Sequence, residues 1–266
     1  MATTTPQIQT AGEMAVQPGR VYRAAANSVV YRQRFVHSEA HLQFLSCGEH
    51  HLPGDSISEA LTVPGCELLL YMWKGRARAE VDGVEYDMAP YDTLYVPLGS
   101  VFRLRNPHPE PACLIQTSAP ALHSHPAFHS SFAEFSQRED RIRHLKGKDV
   151  YMMFDVSEPA DKLVAGYTFF QPFQRSWPPH NHTDQEEVYF FIQGRGAMEV
   201  YDAPETTSFV RSVEEGDLVT IPMLNFHPVF SQEDPLRFIW CIAGERYWVG
   251  DKNKSFLSGQ GTSLTT

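Results

Sequence analysis

The chain is poor in cysteine, in positive charge and in long apolar runs. Its four cysteines, Cys47, Cys66, Cys113 and Cys241, stand far apart with no CxxC pair, so disulfides stay open but have no positive support. Lys and Arg number 22 against 32 Asp and Glu, a formal charge of −10, so neither nucleic acid nor an anionic membrane surface is the expected partner. A small anionic substrate needs only one or two local cations and stays open. No apolar stretch approaches the roughly 20 residues of a membrane span. The opening MATTTPQIQT lacks the charged-then-apolar layout of a signal peptide, so a reducing, cytoplasmic setting is expected.

What is present is β pattern. Hydrophobic residues make up 42% and aromatics 12% of the 266 residues, enough for a packed core and a soft prior for two domains. Short apolar or alternating runs between Pro, Gly and Asp turns predict strands: Cys66 to Trp73, Arg76 to Val81, Thr93 to Pro97, Val101 to Leu104 and Cys113 to Gln116. Asp82-Gly83 marks a hairpin. The second half repeats the series at Leu163 to Phe170, Glu187 to Gln193, Ala197 to Tyr201, Asp217 to Pro222, His227 to Phe230 and Arg237 to Ala243. YDTLYVP at 91–97 and GDLVTIP at 216–222 mark the same step of each half, so the repeat spacing is roughly 120 residues. Such closely spaced short strands predict a sandwich or barrel in each half. The expected division is a flexible arm over 1–20, a first β domain over 21–117, a linker over 118–149 with room for one short helix, a second β domain over 150–250 and a tail over 251–266.

Chemistry concentrates in Trp177 to Gly194, WPPHNHTDQEEVYFFIQG. His180 and His182 lie two apart on extended chain and project to one face. Glu187 opens the next strand and can point back at them, and His227 follows the GDLVTIP strand. A lone histidine is usually solvent-facing or capping, and two before a strand are often a solvated loop; the four spacings taken together argue for a metal. HxH, four residues, Glu, six residues, Gly, followed by Gly, five residues, Pro, four residues, His, resembles the paired signature of the cupin superfamily. That resemblance implies an all-β fold of two tandem jelly-roll barrels and one divalent metal held by His180, His182, Glu187 and His227. Two turn positions depart from the pattern: Gln174 replaces the leading Gly and Leu224 the Gly of Pro-x-Gly. In the first half Phe102 occupies the ligand-histidine position, Ala60 and Thr62 stand for the two other histidines, and Glu67 lies near the glutamate position. The first barrel is therefore expected to hold no metal. His123, His125 and His129 fall in the linker and read as a polar loop.

Three imidazoles and a carboxylate suit Zn, Mn, Fe or Ni. The segment SWPPHNHTDQEEVYFF, the Ala119 to His123 turn and Arg237 to Glu245 further resemble the uronate ketol isomerases, of the 5-deoxyglucuronate isomerase and 4-deoxy-5-ketouronate isomerase type, over most of residues 30–248. The resemblance implies zinc first among those metals, aldose–ketose isomerisation of a small anionic sugar acid, a place in carbohydrate or inositol breakdown, and a homo-oligomer. Besides Glu187, the catalytic candidates are Tyr189, which shares its strand face, and Glu186, with Glu199 and Glu245 as further carboxylates. Arg175, Arg195 and Arg237 are candidates for the substrate carboxylate, and Trp240 for the barrel wall. A dioxygenase using iron or copper on the same ligands, and a non-catalytic sugar-binding cupin, are the competing classes. An acidic enzyme for an acidic sugar must also place a cation inside the second barrel.

Overall fold

The computed structural model describes residues 28–203 and 209–247, with the short strands Ile8–Gln9 and Arg20–Arg23. The rest of the expected arm over 1–20, and the tail over 251–266, lie outside the described residues. Each half pairs a seven-stranded antiparallel sheet with a smaller one. In the first half the large sheet runs Phe128–Ser130, Thr93–Val96, Cys66–Lys74, Ala112–Pro120, Ser46–Leu52, Ser28–Phe35, Arg20–Arg23. In the second it runs Ile8–Gln9, Leu218–Ile221, Gln185–Gln193, Leu236–Gly244, Leu163–Phe170, Lys148–Phe154, Ile142–Leu145. This is the two-barrel cupin architecture, and among the described residues no helix is long and apolar enough to cross a membrane.

Side-chain alternation with a period of two assigns the central strands to two cores at once. Leu68, Leu70, Met72 and Leu114 face into the first barrel, and Tyr189, Phe191, Phe238 and Trp240 into the second. The intervening residues face outward and meet between the barrels, where Leu69, Tyr71 and Ile115 pack against Tyr167, Val188, Phe190 and Ile239. Strands buried on both faces explain why CELLLYMW and EVYFFIQ read as continuous apolar runs rather than alternating ones.

The register makes the repeat explicit. Gly48 pairs with Gln116 in the first large sheet, and Gly166 with Trp240 in the second. Two residues on, Ser118 faces Leu68 and Ile242 faces Glu187. Leu68, and not Glu67, is thus the counterpart of Glu187, each seven residues before a glycine turn. In the small sheets Phe102 faces Val81, and the Met198–Val229 register continued two residues beyond the strand brings His227 to the same step opposite Val200, which matches Phe102 with the histidine position.

The stretch 118–149 is more than a linker. It contains the short helix Phe132–Phe135, but also the strands Phe128–Ser130 and Ile142–Leu145 and the start of Lys148–Phe154. These are edge or near-edge strands with one solvated face, and charged residues belong there, which is why their composition reads as a connector. The leading strands are exchanged between halves. Ile8–Gln9 precedes the first barrel yet pairs with Leu218–Ile221 of the second, whereas Phe128–Ser130 precedes the second yet pairs with Thr93–Val96 of the first. Two buried carboxylates follow the same reciprocity. Glu67 accepts hydrogen bonds from the backbone N–H groups of Asp161, Lys162 and Leu163 at 2.7–3.1 Å. Its counterpart Glu186 accepts those of Gln43, Phe44 and Leu45 at 2.6–2.7 Å.

Candidate metal centre

The site lies at the mouth of the second barrel. The segment before Gln185–Gln193 brings in His180 and His182, the strand itself presents Glu187, and the turn after Leu218–Ile221 presents His227. The ligand-type atoms of the three histidines lie within 4.8 Å of one another. Glu187 Oε2 is 3.3 Å from His182 Nε2 and 3.1 Å from His227 Nε2. His182, Glu187 and His227 are only 3%, 3% and 2% exposed. The two turns are tied together: Leu224 N–H donates to the His182 carbonyl at 2.7 Å, and Asn181 Nδ2 donates to the Leu224 carbonyl at 3.1 Å.

Hydrogen bonds on the far side of each ring fix the tautomer, as outer partners of metal-binding histidines do. His227 Nδ1 lies 3.0 Å from the Asn225 carbonyl, which can only accept, so the proton sits on Nδ1. His182 Nδ1 lies 2.9 Å from Gln185 Oε1, and Gln185 Nε2 is committed to the carbonyls of Glu245 and Tyr247. Both Nε2 atoms therefore turn bare lone pairs toward Glu187 Oε2, and none of the three atoms has a hydrogen-bond partner among the described residues. Three buried lone-pair donors converging this closely repel unless a cation lies among them. Burial, followed by the neighbouring His227, His182 and Lys148, holds His180 well below the ordinary imidazole range, leaving it neutral as ligation requires. The residues present fit a divalent metal bound by three nitrogens and one oxygen.

A cavity of about 90 Å³ opens beside this cluster, walled by Thr168, Tyr189 and Trp240 and bearing two cations, Arg143 and Lys148. Burial pushes the Lys148 ammonium down to about 8, opposed by Glu187. Burial and the Glu187 carboxylate both raise Tyr189 well above the usual phenol range, so it stays a neutral hydrogen-bond donor. Gly166 makes the Trp240 wall feasible, because a Cβ there would collide with the Trp240 ring and the Tyr151 carbonyl.

Several expected site residues lie elsewhere. Glu186 points from the opposite face of its strand into the junction between barrels. Arg175 is exposed and stacks on Trp177 and Phe230, at 4.6 and 5.4 Å from the ring centroids. Arg195 is exposed beside Glu214 at 3.6 Å. Arg237 alternates with inward Phe238 and lies over Phe169, 4.4 Å from its ring. Glu199 alternates with the inward-facing Met198 and Val200, and Glu245 is exposed. Arg143 and Lys148 were missed because their strands lie in the supposed linker; the alternation Lys148, Val150, Met152 was the available signal. His123 and His125 join Asp161 at 3.2 and 2.8 Å in a surface clasp. A second cluster, Glu49, His51 and Cys113, also brings its ligand-type atoms within 4.8 Å. There Glu49 is already held by Arg34 at 2.6 Å and His51 at 2.9 Å, and Arg32 and Lys74 line the same cleft, so the surrounding charge opposes a metal.

Comparison with known proteins agrees with this architecture. Residues 22–256 match the profile described as the KduI/IolB family. A curated relative from Levilactobacillus brevis, 4-deoxy-L-threo-5-hexosulose-uronate ketol-isomerase, is 26% identical over 188 residues. That match covers 66% of this chain and 66% of the relative, just under two-thirds of its length. Among solved structures, an IolB-like protein from Salmonella typhimurium LT2 has a TM-score of 0.70 at 18% identity, covering 86% of this chain and 95% of that one. A variant of Bacillus subtilis oxalate decarboxylase has a TM-score of 0.72 at 14% identity, covering 100% of this chain and 86% of its own. At such identities the likeness is one of fold.

Proposed function

Because the chain belongs to the KduI/IolB family, we propose that it is a metal-dependent ketol isomerase interconverting the aldose and ketose forms of a deoxy-uronate or keto-sugar acid. The observation that carries this reading is the meeting, in one pocket, of three converging buried lone-pair donors with two cations, Arg143 and Lys148. His180, His182, Glu187 and His227 would hold one divalent metal, zinc by preference for a set of three imidazoles and one carboxylate. When bound, such an ion supplies Lewis acidity to a carbonyl and its adjacent hydroxyl. Lys148 and Arg143 bind the substrate carboxylate and so orient the carbonyl end toward the four donors. The Tyr189 phenol donates a hydrogen bond to a substrate oxygen. Trp240 and Thr168 wall the cavity and exclude water from it. The first barrel takes no part in metal binding, since Leu68 and Phe102 replace the glutamate and a histidine. The same reading places the enzyme in the cytoplasm as a homo-oligomer.

The test is elemental analysis of the purified protein combined with isomerisation assays on 5-deoxyglucuronate and 4-deoxy-L-threo-5-hexosulose uronate, with and without a chelator. One equivalent of metal, chelator-sensitive turnover and loss of both in His182→Ala are expected. Stoichiometric oxygen uptake without isomerisation would overturn the reading.

A further inference from the structure

The first barrel lacks the metal-type residues but keeps the compartment. A cavity of about 250 Å³ opens into it, larger than the one beside the metal centre. The register shows that the two cavities are counterparts. With Gly48 matched to Gly166, Gln116 corresponds to Trp240, Ser118 to Ile242 and His50 to Thr168. All three pairs line their respective cavities.

The substitutions run in one chemical direction. Trp240 and Ile242 are wall residues, whereas Gln116 and Ser118 offer hydrogen bonds, and both are buried at 5% and 7% exposure. His50 Nε2 lies 2.8 Å from Gln116 Oε1. That bond leaves the Gln116 amide nitrogen and the Ser118 hydroxyl without a hydrogen bond among the described residues. Keeping polar groups in a barrel interior is costly unless they are paired. Tyr31 and Phe102 supply aromatic walls on either side of His50, at ring distances of 4.8 and 6.3 Å. The lining contains no Asp, Glu, Lys or Arg, and burial lowers His50 to about 4, so it is neutral at physiological pH. At the rim Thr62 and Pro64 are exposed, which leaves the cavity open to solvent.

We propose that the first barrel binds a neutral polyhydroxy molecule, a sugar or polyol, between Gln116, Ser118 and His50 and the rings of Tyr31 and Phe102. An aromatic wall meets the C–H face of such a molecule, and the amide and hydroxyl meet its O–H groups. Carboxylates are disfavoured, because the lining holds no Lys or Arg and its two imidazoles, His50 and His37, are engaged by Gln116 and Ser46. The two barrels thus divide their ligands by charge.

Saturation-transfer NMR on the full-length protein tests this with D-glucose and D-sorbitol as probes and D-glucuronate as the charged counterpart. Measurements in an Arg143→Met/Lys148→Met/His182→Ala background remove both cations and one metal-type residue from the second cavity, so the result is separable from the isomerase reading. Saturable binding of at least one neutral probe at millimolar concentration is expected, with D-glucuronate at least about tenfold weaker. Gln116→Leu should weaken binding about tenfold or more. Thr62→Trp, an exposed substitution that blocks the mouth, should do the same, and carries the test alone if Gln116→Leu does not fold. Absence of saturable binding by both neutral probes, equal binding of D-glucuronate, or unchanged affinity in the folded variants would overturn the proposal.

Discussion

Leu224 adopts φ 67°, while its first-barrel counterpart Gly99 sits at φ 83°. The left-handed conformation costs a residue with a Cβ roughly 1–2 kcal/mol, and glycine returns part of that through unfolded-state entropy. Leu224→Gly is therefore expected to stabilise by about 0.5–1 kcal/mol and to raise Tm by about 2 °C in calorimetry. Gln185 is a positioning residue. Without its Oε1 acceptor the His182 tautomer is no longer fixed, so Gln185→Leu should weaken metal binding 10–100-fold, by the usual scale for such partners, in competition with a chromophoric chelator. At this scale the four metal-type residues were legible, because two-residue spacing on extended chain and the fixed distances to Gly194 and Pro222 constrain them jointly. Glu186 and Arg237 were not. One step along a strand reverses the face, and only the pairing register says which parity looks inward.

The strand Lys148–Phe154 carries the largest gap between pattern and structure. Its first residues were absorbed into a charged connector, yet Lys148 provides one of the two cations beside the metal-type cluster. Lys148→Met should raise KM for the uronate about tenfold or more, the loss of a charge-assisted contact of about 1.5–3 kcal/mol, while metal content stays at one equivalent. An unchanged KM would remove Lys148 from substrate binding. The loop leading into Leu163–Phe170 is pinned by Asp161, which also accepts from the N–H groups of Leu122 and His123. Burial opposes the Asp161 charge, but His125 and those N–H groups outweigh it and hold the carboxyl below its ordinary range. A depressed carboxylate contributes stability above its unfolded pKa of about 3.9 and loses it as pH falls further. Acid unfolding of the wild type should therefore steepen below about pH 4, and Asp161→Asn should flatten that limb. His123 and His125 do lie in a polar loop, whereas His129 belongs to the strand Phe128–Ser130 with Nε2 3.4 Å from Asp92 Oδ2; the Asp161 partner of the first two, some 36–38 residues away in sequence, could not be read from local composition.

At the scale of the molecule the barrels hold each other. Besides the shared aromatic core, each presents one buried glutamate to three backbone N–H groups of the other. Glu67→Gln and Glu186→Gln should each destabilise the chain by roughly 1.5–3 kcal/mol in denaturant titrations, and Glu186→Gln should leave kcat and metal content intact, in contrast to Glu187→Gln. A fall in kcat for Glu186→Gln at full metal loading would return that residue to the chemistry. The repeat itself was legible from the YDTLYVP and GDLVTIP signatures, but the interlocking was not, since the two glutamates reach backbone 94–96 and 141–143 residues away in the other half. The exchange of Ile8–Gln9 and Phe128–Ser130 has the pattern of a symmetric pair. Exchanged leading strands and reciprocal glutamates are what two identical single-barrel chains would show across a two-fold axis. The molecule has the form of a strand-swapped dimer with its subunits joined end to end, an arrangement that lets one half carry Leu68 and Phe102 where the other carries Glu187 and His227.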